Sequence, residues 1–410
     1  STRKESSAAS DVYKRQRYSC YFVAGGFMGY EVDFIGVKNT KAKQDADAIV
    51  LRWKENDTYK ICIYDGGFKA HGEEMVEHLN KYYFADVAES ERVIDAVIVS
   101  HPDQDHTSGL IEVLERFNVN TLYMNRPWLY AEELENNKDD GRITEKSLEN
   151  RLREKYSFIS DLEKIAMDKG IKIHEAFQGT IINDRLTILS PKKEFYLDLI
   201  IESNKTPLTA ESTTNYRTIW GVMRTFGNYI KNLIESWTDE YLREDITTTA
   251  ENEMSTVIYG DMPTGDGILL TGDAGKKALT EAMDYSETQG IYMNNDVNFY
   301  QIPHHGGRHN VTPKIMNRMV GNIVKENESD NRVAFVSCAE DSDHPLQMVV
   351  NAYVRRGVKV YSNSNGCIIH HSRGNMPDRT GWSNLKKIEF DKNVEAVSYT
   401  HLRAHETDSY

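Results

Sequence analysis

Residues 93–110 read VIDAVIVSHPDQDHTSGL, and this stretch decides the fold. Four of the five residues before Ser100 are apolar, the density expected of a strand covered on both faces. A helix is expected over 107–117, with Leu110, Ile111, Leu114 and Phe117 on one stripe. Between them lies HPDQDH, His101 to His106, which places His101, Asp103, Asp105 and His106 on one strand-to-helix loop. Such a loop can turn His101 and Asp103 toward one cation and Asp105 and His106 toward a second. Imidazole and carboxylate together suit Zn²⁺, Mn²⁺ or Fe²⁺ better than Ca²⁺. The plainer alternative is a polar loop whose aspartates cap a helix N-terminus.

Outward from this stretch, strands and helices mix throughout. Strand-like runs occupy 31–37, 48–53 and 59–64, and a helical period runs over 146–169 through Leu148, Leu152, Tyr156, Ile159, Leu162 and Ile165 to the natural stop at Gly170. In the second half, strands are expected at 255–260, 267–271, 298–302, 333–337, 358–361 and 367–370, with helices around 275–285, 312–324 and 346–356. The segment 194–250 carries the stripe Phe226, Tyr229, Ile230, Leu233 and Trp237, which reads as a helix packed on its own domain, a lid or a dimer face. No repeat or low-complexity linker divides the chain. The expectation is therefore an α/β domain over 28–396 with a helical insertion at about 126–250. The ends, 1–16 and 397–410, lack apolar periodicity and resemble translated sequencing adapters. Residues 1–27 and 397–410 are set aside from the domain as artefact or disorder, with Met28 as the start.

Composition bounds the function. The chain has 410 residues and a net charge of −14, with 39% hydrophobic and 27% charged residues, which is ordinary globular composition. The acidic balance argues against sequence-blind wrapping of nucleic acid, although bound cations can reverse the field locally. No run of eighteen apolar residues occurs, so no membrane contact is expected. Four cysteines without a C-x-x-C pair suggest a reducing, cytoplasmic compartment.

Three further motifs sit after apolar runs. YDGG places Asp65 where it could orient a ligating imidazole. TGD places Asp273 where it could bridge two ions, and PHHGG supplies His304 and His305. Adjacent side chains diverge in extended chain, so one of these histidines is expected to bind metal and the other to hold substrate or support a ligand. Chemistry collecting at successive strand ends fits the logic of α/β sites.

With these motifs in place, the chain resembles the metallo-β-lactamase fold family, most closely the hydrolase domain of the ComEC competence proteins. The residues that carry the resemblance are H-x-D-x-D-H at 101–106, NEMS (Asn252 to Ser255), LLTGD (Leu269 to Asp273), PHHG (Pro303 to Gly306) and His344-Pro345, in matching order across about 31–372. The resemblance implies an αββα four-layer sandwich with a two-metal site between mixed sheets. It makes His101, Asp103, Asp105, His106, Asp273 and His304 ligands, with His305 the alternative to His304. Asp65, His305, Asn252 and Ser255 would support ligands or hold substrate. The family's middle histidine has no counterpart: the matching place is Ser190, and nearby His174 reads as a packed or surface residue. His370 and His371 read as structural or surface residues, and His71 as part of a loop-to-helix segment, with a role near the site the lesser alternative. Arg126 could reach an anionic substrate or fix its loop, with Trp128 packing beneath the insertion.

The function expected is a metal-dependent hydrolase of phosphoester bonds, a nuclease or phosphodiesterase, with single-stranded nucleic acid among its substrates. Two divalent ions, Zn²⁺ or Mn²⁺, would supply a bridging hydroxide near neutral pH. Asp105 and His344 are the catalytic candidates, His344 as proton donor to the leaving group. Small-ester or thioester hydrolysis at the same site, or an interaction module with weakened metal binding, are the alternatives.

Overall fold

Alternation along each central strand sorts its side chains into two cores. In 58–66, Ile61 and Ile63 enter one hydrophobic cluster while Cys62 and Tyr64 enter another. In 93–98, Val97 goes with the first pair, and Ala96 and Ile98 go with the second. This is the period-two signature of a strand buried on both faces. The structure is a computed structural model that describes residues 28–37, 44–55, 58–135, 145–203, 232–372 and 376–395. The two terminal stretches set aside above lie outside the described residues.

In chain order the strands are β1 (Tyr30–Phe34), β2 (Ala48–Glu55), β3 (Thr58–Gly66), β4 (Val93–Ile98), β5 (Asn118–Tyr123), β6 (Lys172–His174), β7 (Ile181–Ile182), β8 (Leu186–Ser190), β9 (Asn232–Ile234), β10 (Val257–Asp261), β11 (Gly267–Leu270), β12 (Val297–Gln301), β13 (Val333–Val336), β14 (Lys359–Ser362), β15 (Ile368–His371) and β16 (Asn393–Glu395). One sheet runs β15-β1-β2-β3-β4-β5-β6 and a second runs β14-β13-β12-β11-β10-β8-β7, while β9 pairs with β16. Each large sheet is mixed. In the first, β3 to β6 are parallel and β15, β1, β2 and β3 antiparallel; in the second, β11 to β14 are parallel and the rest antiparallel.

The inner faces meet in a shared core. Phe34 from the first sheet packs edge-on against Phe299 and Phe335 from the second, with ring centroids 6.0 and 5.4 Å away. Helices cover the outer faces. Met75, Leu79, Val113, Leu114, Leu152, Ile159 and Leu162 lie over the first sheet, and Ala278, Leu279, Met316, Val349 and Tyr353 over the second. The expected αββα sandwich is therefore the observed architecture.

Differences from the sequence reading have local causes. The helical period over 146–169 forms two helices, Glu145–Lys155 and Ser157–Asp168, which break at Tyr156. Most of the 226–237 stripe falls on 226–231, outside the described residues, but its end is not helical. Asn232–Ile234 is β9, Leu233 is 43% exposed, and the Trp237 indole donates to the Val324 carbonyl. Pairing with β16 overrides the helical period there. Among the described residues, 126–250 also contributes β6 to the first sheet and β7 and β8 to the second. Arg126 is held by Glu175 and Glu163, and the buried Trp128 donates to Glu163, so Arg126 fixes its loop. No helix among the described residues is long and apolar enough to cross a membrane.

Candidate metal centre

The parallel strands bring several C-terminal ends to one rim, and the antiparallel β2 brings its beginning there too. Its first residue, Ala48, pairs with Gly66 at the end of β3. Asp47, just before β2, therefore arrives beside Asp65 and the 101–106 loop, and its amide donates to the Asp105 carbonyl at 3.2 Å. Close packing behind the loop holds this rim together. A Cβ on Gly72 would stand 2.2 Å from the Gly109 carbonyl oxygen, so glycine is required for the helix Lys69–Tyr82 to meet the segment that follows the loop.

Four buried side chains converge there. Asp47, His106, Asp273 and His305 each present one donor atom, and these atoms all lie within 4.8 Å of one another. Asp47 Oδ2, His106 Nε2, Asp273 Oδ1 and His305 Nε2 are also buried without a hydrogen-bond partner. Buried polar atoms are normally satisfied, and leaving them unpaired costs about 1–3 kcal/mol each. Four in one cluster, two on carboxylates and two on imidazoles, fit a divalent cation of the zinc or manganese kind.

The surrounding hydrogen bonds fix the ring orientations. His106 Nδ1 lies 2.8 Å from Asp65 Oδ2, which leaves Nε2 facing Asp273 Oδ1 at 3.3 Å. Asp65 also receives the Ser100 amide at 2.8 Å and hydroxyl at 2.5 Å. His305 Nδ1 donates to the Ser337 carbonyl at 2.9 Å, directing its Nε2 the other way. Asp65, His304 and His305 have φ of 59°, 48° and 55°. Three non-glycine residues in this strained region at one rim are characteristic of a functional site.

Electrostatics agree with a cation-binding role. Burial raises the Asp47, Asp65 and Asp105 carboxyls above their usual range, and Asp273 adds to this at Asp47 and Asp105. Burial alone would lower the His106 imidazole, but Asp273 and Asp65 outweigh it and raise it well above its usual range. Burial would likewise raise Asp273, yet His304 and His106 hold it well below. The cluster concentrates negative charge, which a dication would neutralise.

The other sequence candidates are distributed as follows. His304 Nδ1 contacts Asp273 Oδ2 and lies 3.1 Å from Asn252 Nδ2, so His305 rather than His304 belongs to the four-donor group. The His101 ring centroid is 4.2 Å from that of His106, and its Nε2 is 3.8 Å from Asp273 Oδ2. Ser255 Oγ accepts the Asp273 amide at 3.1 Å and lies 3.4 Å from His101 Nδ1. Asp105 Oδ2 stands 3.9 Å from His305 Nε2 at the half-exposed edge. Asp103 is the N-cap position of the short helix Gln104–Thr107 and lies outside the four-donor group.

The Ser190 hydroxyl donates to Glu281, and His174 is exposed and stacked on Tyr123, so neither supplies a middle ligand. His71 lies near the site: burial, then the His305 charge, lowers it to about 4. His370 stacks on Phe299 in the inner core. His344 Nδ1 lies 2.8 Å from Asp45 Oδ2, and its ring centroid is 6.5 Å from that of His304. Burial would raise the Asp45 carboxyl, but the His344 hydrogen bond, the His305 charge and bonds from Ala339 and Ser342 hold it at about 2.

Sequence reasoning missed Asp45 and Asp47. The signal was present as DADA immediately before the apolar run of β2. Searching only after strands finds the C-terminal ends of parallel strands and overlooks the N-terminal end of an antiparallel neighbour on the same rim.

Asp65→Asn tests the support given to His106. An amide can turn its NH₂ toward Nδ1 and disfavour the tautomer that presents a lone pair at Nε2. Titration calorimetry with Mn²⁺ or Zn²⁺ should show affinity weakened about 10–100-fold. Unchanged affinity would remove Asp65 from the centre.

Residues 46–179 match the model of the metallo-beta-lactamase superfamily. No curated protein matches the chain. Among solved structures, the metallo-beta-lactamase fold protein YhfI from Bacillus subtilis is 11% identical with a TM-score of 0.38, over 84% of this chain and 100% of that one. MEM-A1, a subclass B3 metallo-beta-lactamase isolated from a soil metagenome library, is 9% identical with a TM-score of 0.29, over 71% of this chain and 83% of that one.

Proposed function

We propose that the chain is a metal-dependent hydrolase of phosphoester bonds, a phosphodiesterase or nuclease. The observation that carries the metal-dependent part is the set of four buried, unpartnered donors on Asp47, His106, Asp273 and His305. Asp47, His106, Asp273 and His305 would hold a divalent cation, which would supply a water acidic enough to ionise near neutral pH and a positive charge for a phosphoryl oxygen. The chain's own groups do the rest. Asp105, at the half-exposed edge, takes a proton from the attacking water as its oxygen bonds to phosphorus. His344, 30% exposed beside His304, gives a proton to the departing oxygen. Asn252 and Ser255 hold His304, Asp273 and His101 in place.

Phosphoester preference has support in the same loop. Arg308 lies four residues past His304, and its Nη1 is buried without a hydrogen-bond partner. A guanidinium is suited to a phosphate oxygen. The two carboxylates of the four-donor group, Asp47 and Asp273, bring oxygen character that suits manganese as well as zinc.

The test is turnover of bis-p-nitrophenyl phosphate, short single-stranded DNA and nitrocefin by metal-free protein given Mn²⁺ or Zn²⁺. The proposal predicts metal-dependent cleavage of the phosphodiesters, loss on chelation and no opening of nitrocefin. Cleavage of nitrocefin or a thioester with no phosphodiester turnover would refute the phosphoester reading.

A further inference from the structure

We propose that Asp45 is a positioning residue that holds His344 with its Nδ1 protonated, leaving Nε2 to serve the substrate's leaving oxygen. This rests on the phosphoester-hydrolase reading above and adds a residue to it. Asp45 comes from the segment before β2 of the first sheet, whereas His344 lies on the loop after β13 of the second. Their contact spans 299 positions and closes the rim between the sheets.

Three donors fix the Asp45 carboxylate. The Ala339 amide donates to Oδ1 at 2.9 Å, the Ser342 hydroxyl to Oδ2 at 2.8 Å, and His344 Nδ1 meets Oδ2 at 2.8 Å. All three belong to the loop that carries His344, and the His344 amide is itself bonded to Ser342 Oγ at 3.0 Å. An acceptor so arranged requires a hydrogen on Nδ1. The ring is thus oriented by a built loop, and its other nitrogen lies on the side away from Asp45. The side chain is 30% exposed, against 12% for Asp45, as expected of a pair in which one member meets substrate and the other stays behind it.

The proton balance is simple. Nε2 first takes a proton from solvent; as the phosphorus–oxygen bond to the leaving group breaks, its electron pair stays on that oxygen, which takes that Nε2 proton. The imidazole is left neutral, with Nδ1–H still on Asp45. The carboxylate keeps its charge throughout and stabilises the ring while it is charged, as in other carboxylate–histidine pairs.

Two readouts separate positioning from mere structure. The first is a long-range proton–nitrogen spectrum of histidine-labelled protein, which needs no turnover. Its His344 signals should report the Nδ1-protonated tautomer in the parent and lose that preference in Asp45→Asn. The second compares bis-p-nitrophenyl phosphate, whose leaving group departs without a proton, with a dinucleotide, whose alkoxide needs one. Asp45→Asn should slow dinucleotide cleavage about 10²-fold and bis-p-nitrophenyl phosphate cleavage far less. His344→Gln, at a partly exposed position, should give the same split even if Asp45→Asn folds poorly. The double variant should lose no more than His344→Gln alone.

Equal loss on both substrates, or an unchanged tautomer in Asp45→Asn, overturns the proposal. If the parent cleaves neither phosphodiester, the hydrolase reading fails and the proton-donor role falls with it. An Nδ1-protonated parent tautomer lost in Asp45→Asn would still support the positioning contact.

Discussion

Asp273→Asn should abolish metal-dependent turnover while leaving the fold intact. The substitution keeps the shape of the side chain. The backbone clamps also remain, with the Asp273 amide on Ser255 Oγ at 3.1 Å and its carbonyl receiving Asn310 Nδ2 at 2.8 Å. What changes is charge. Asp273 faces His106 through Oδ1 and His304 through Oδ2, and its charge helps raise both imidazoles above their usual range against the opposing effect of burial. Without it the donor cluster keeps one carboxylate, Asp47, and two imidazoles, a weak cradle for a dication. Activity should fall on the order of 10³-fold or more, because the lowering of a bound water's pKa from about 15.7 toward about 7 is forfeited. Metal content by mass spectrometry should fall with it, while the melting temperature changes little. Full metal content with undiminished turnover would remove Asp273 from the centre.

The second large effect is on stability. Glu235 follows β9 and reaches the Arg355 guanidinium at 2.7 Å, the Asn351 amide nitrogen at 2.6 Å and the Tyr241 backbone amide at 2.8 Å. Both charged side chains are fully buried, at 0% exposure. Burial raises the Glu235 carboxyl and lowers the Arg355 guanidinium, so desolvation works against both charged forms. The pair is needed because each member answers the other. Glu235→Ala would strand a buried guanidinium and should cost about 3–5 kcal/mol, read from the urea unfolding midpoint. The double variant Glu235→Leu, Arg355→Met should recover much of that loss, because no charge is then left alone. A double variant as unstable as Glu235→Ala would contradict this account.

The parts of the molecule legible from sequence were those governed by local pattern. Apolar density in β4 marked a strand buried on both faces, and the acids and histidines after β4, β11 and β12 marked the rim. The end of the 226–237 stripe was misread because Leu233 and Trp237 follow a helical period while long-range pairing of β9 with β16 makes the strand. Asp47 escaped notice for a related reason. Its place in the cluster depends on β2 running antiparallel to β3, a non-local fact that no spacing within DADA reveals. The choice between His304 and His305 was equally closed to pattern reading. Both have left-handed backbone, so the alternation of an extended chain does not apply, and the Ser337 carbonyl orients His305 from another strand's end.

The central claim is that Asp47, His106, Asp273 and His305 cradle a divalent cation. Anomalous diffraction from crystals soaked in Mn²⁺ tests it most directly. The account predicts a manganese peak about 2.0–2.3 Å from Asp47 Oδ2, His106 Nε2, Asp273 Oδ1 and His305 Nε2, the distances normal for such ligands. A manganese peak bound elsewhere on the chain, with these four atoms left uncoordinated, would contradict it.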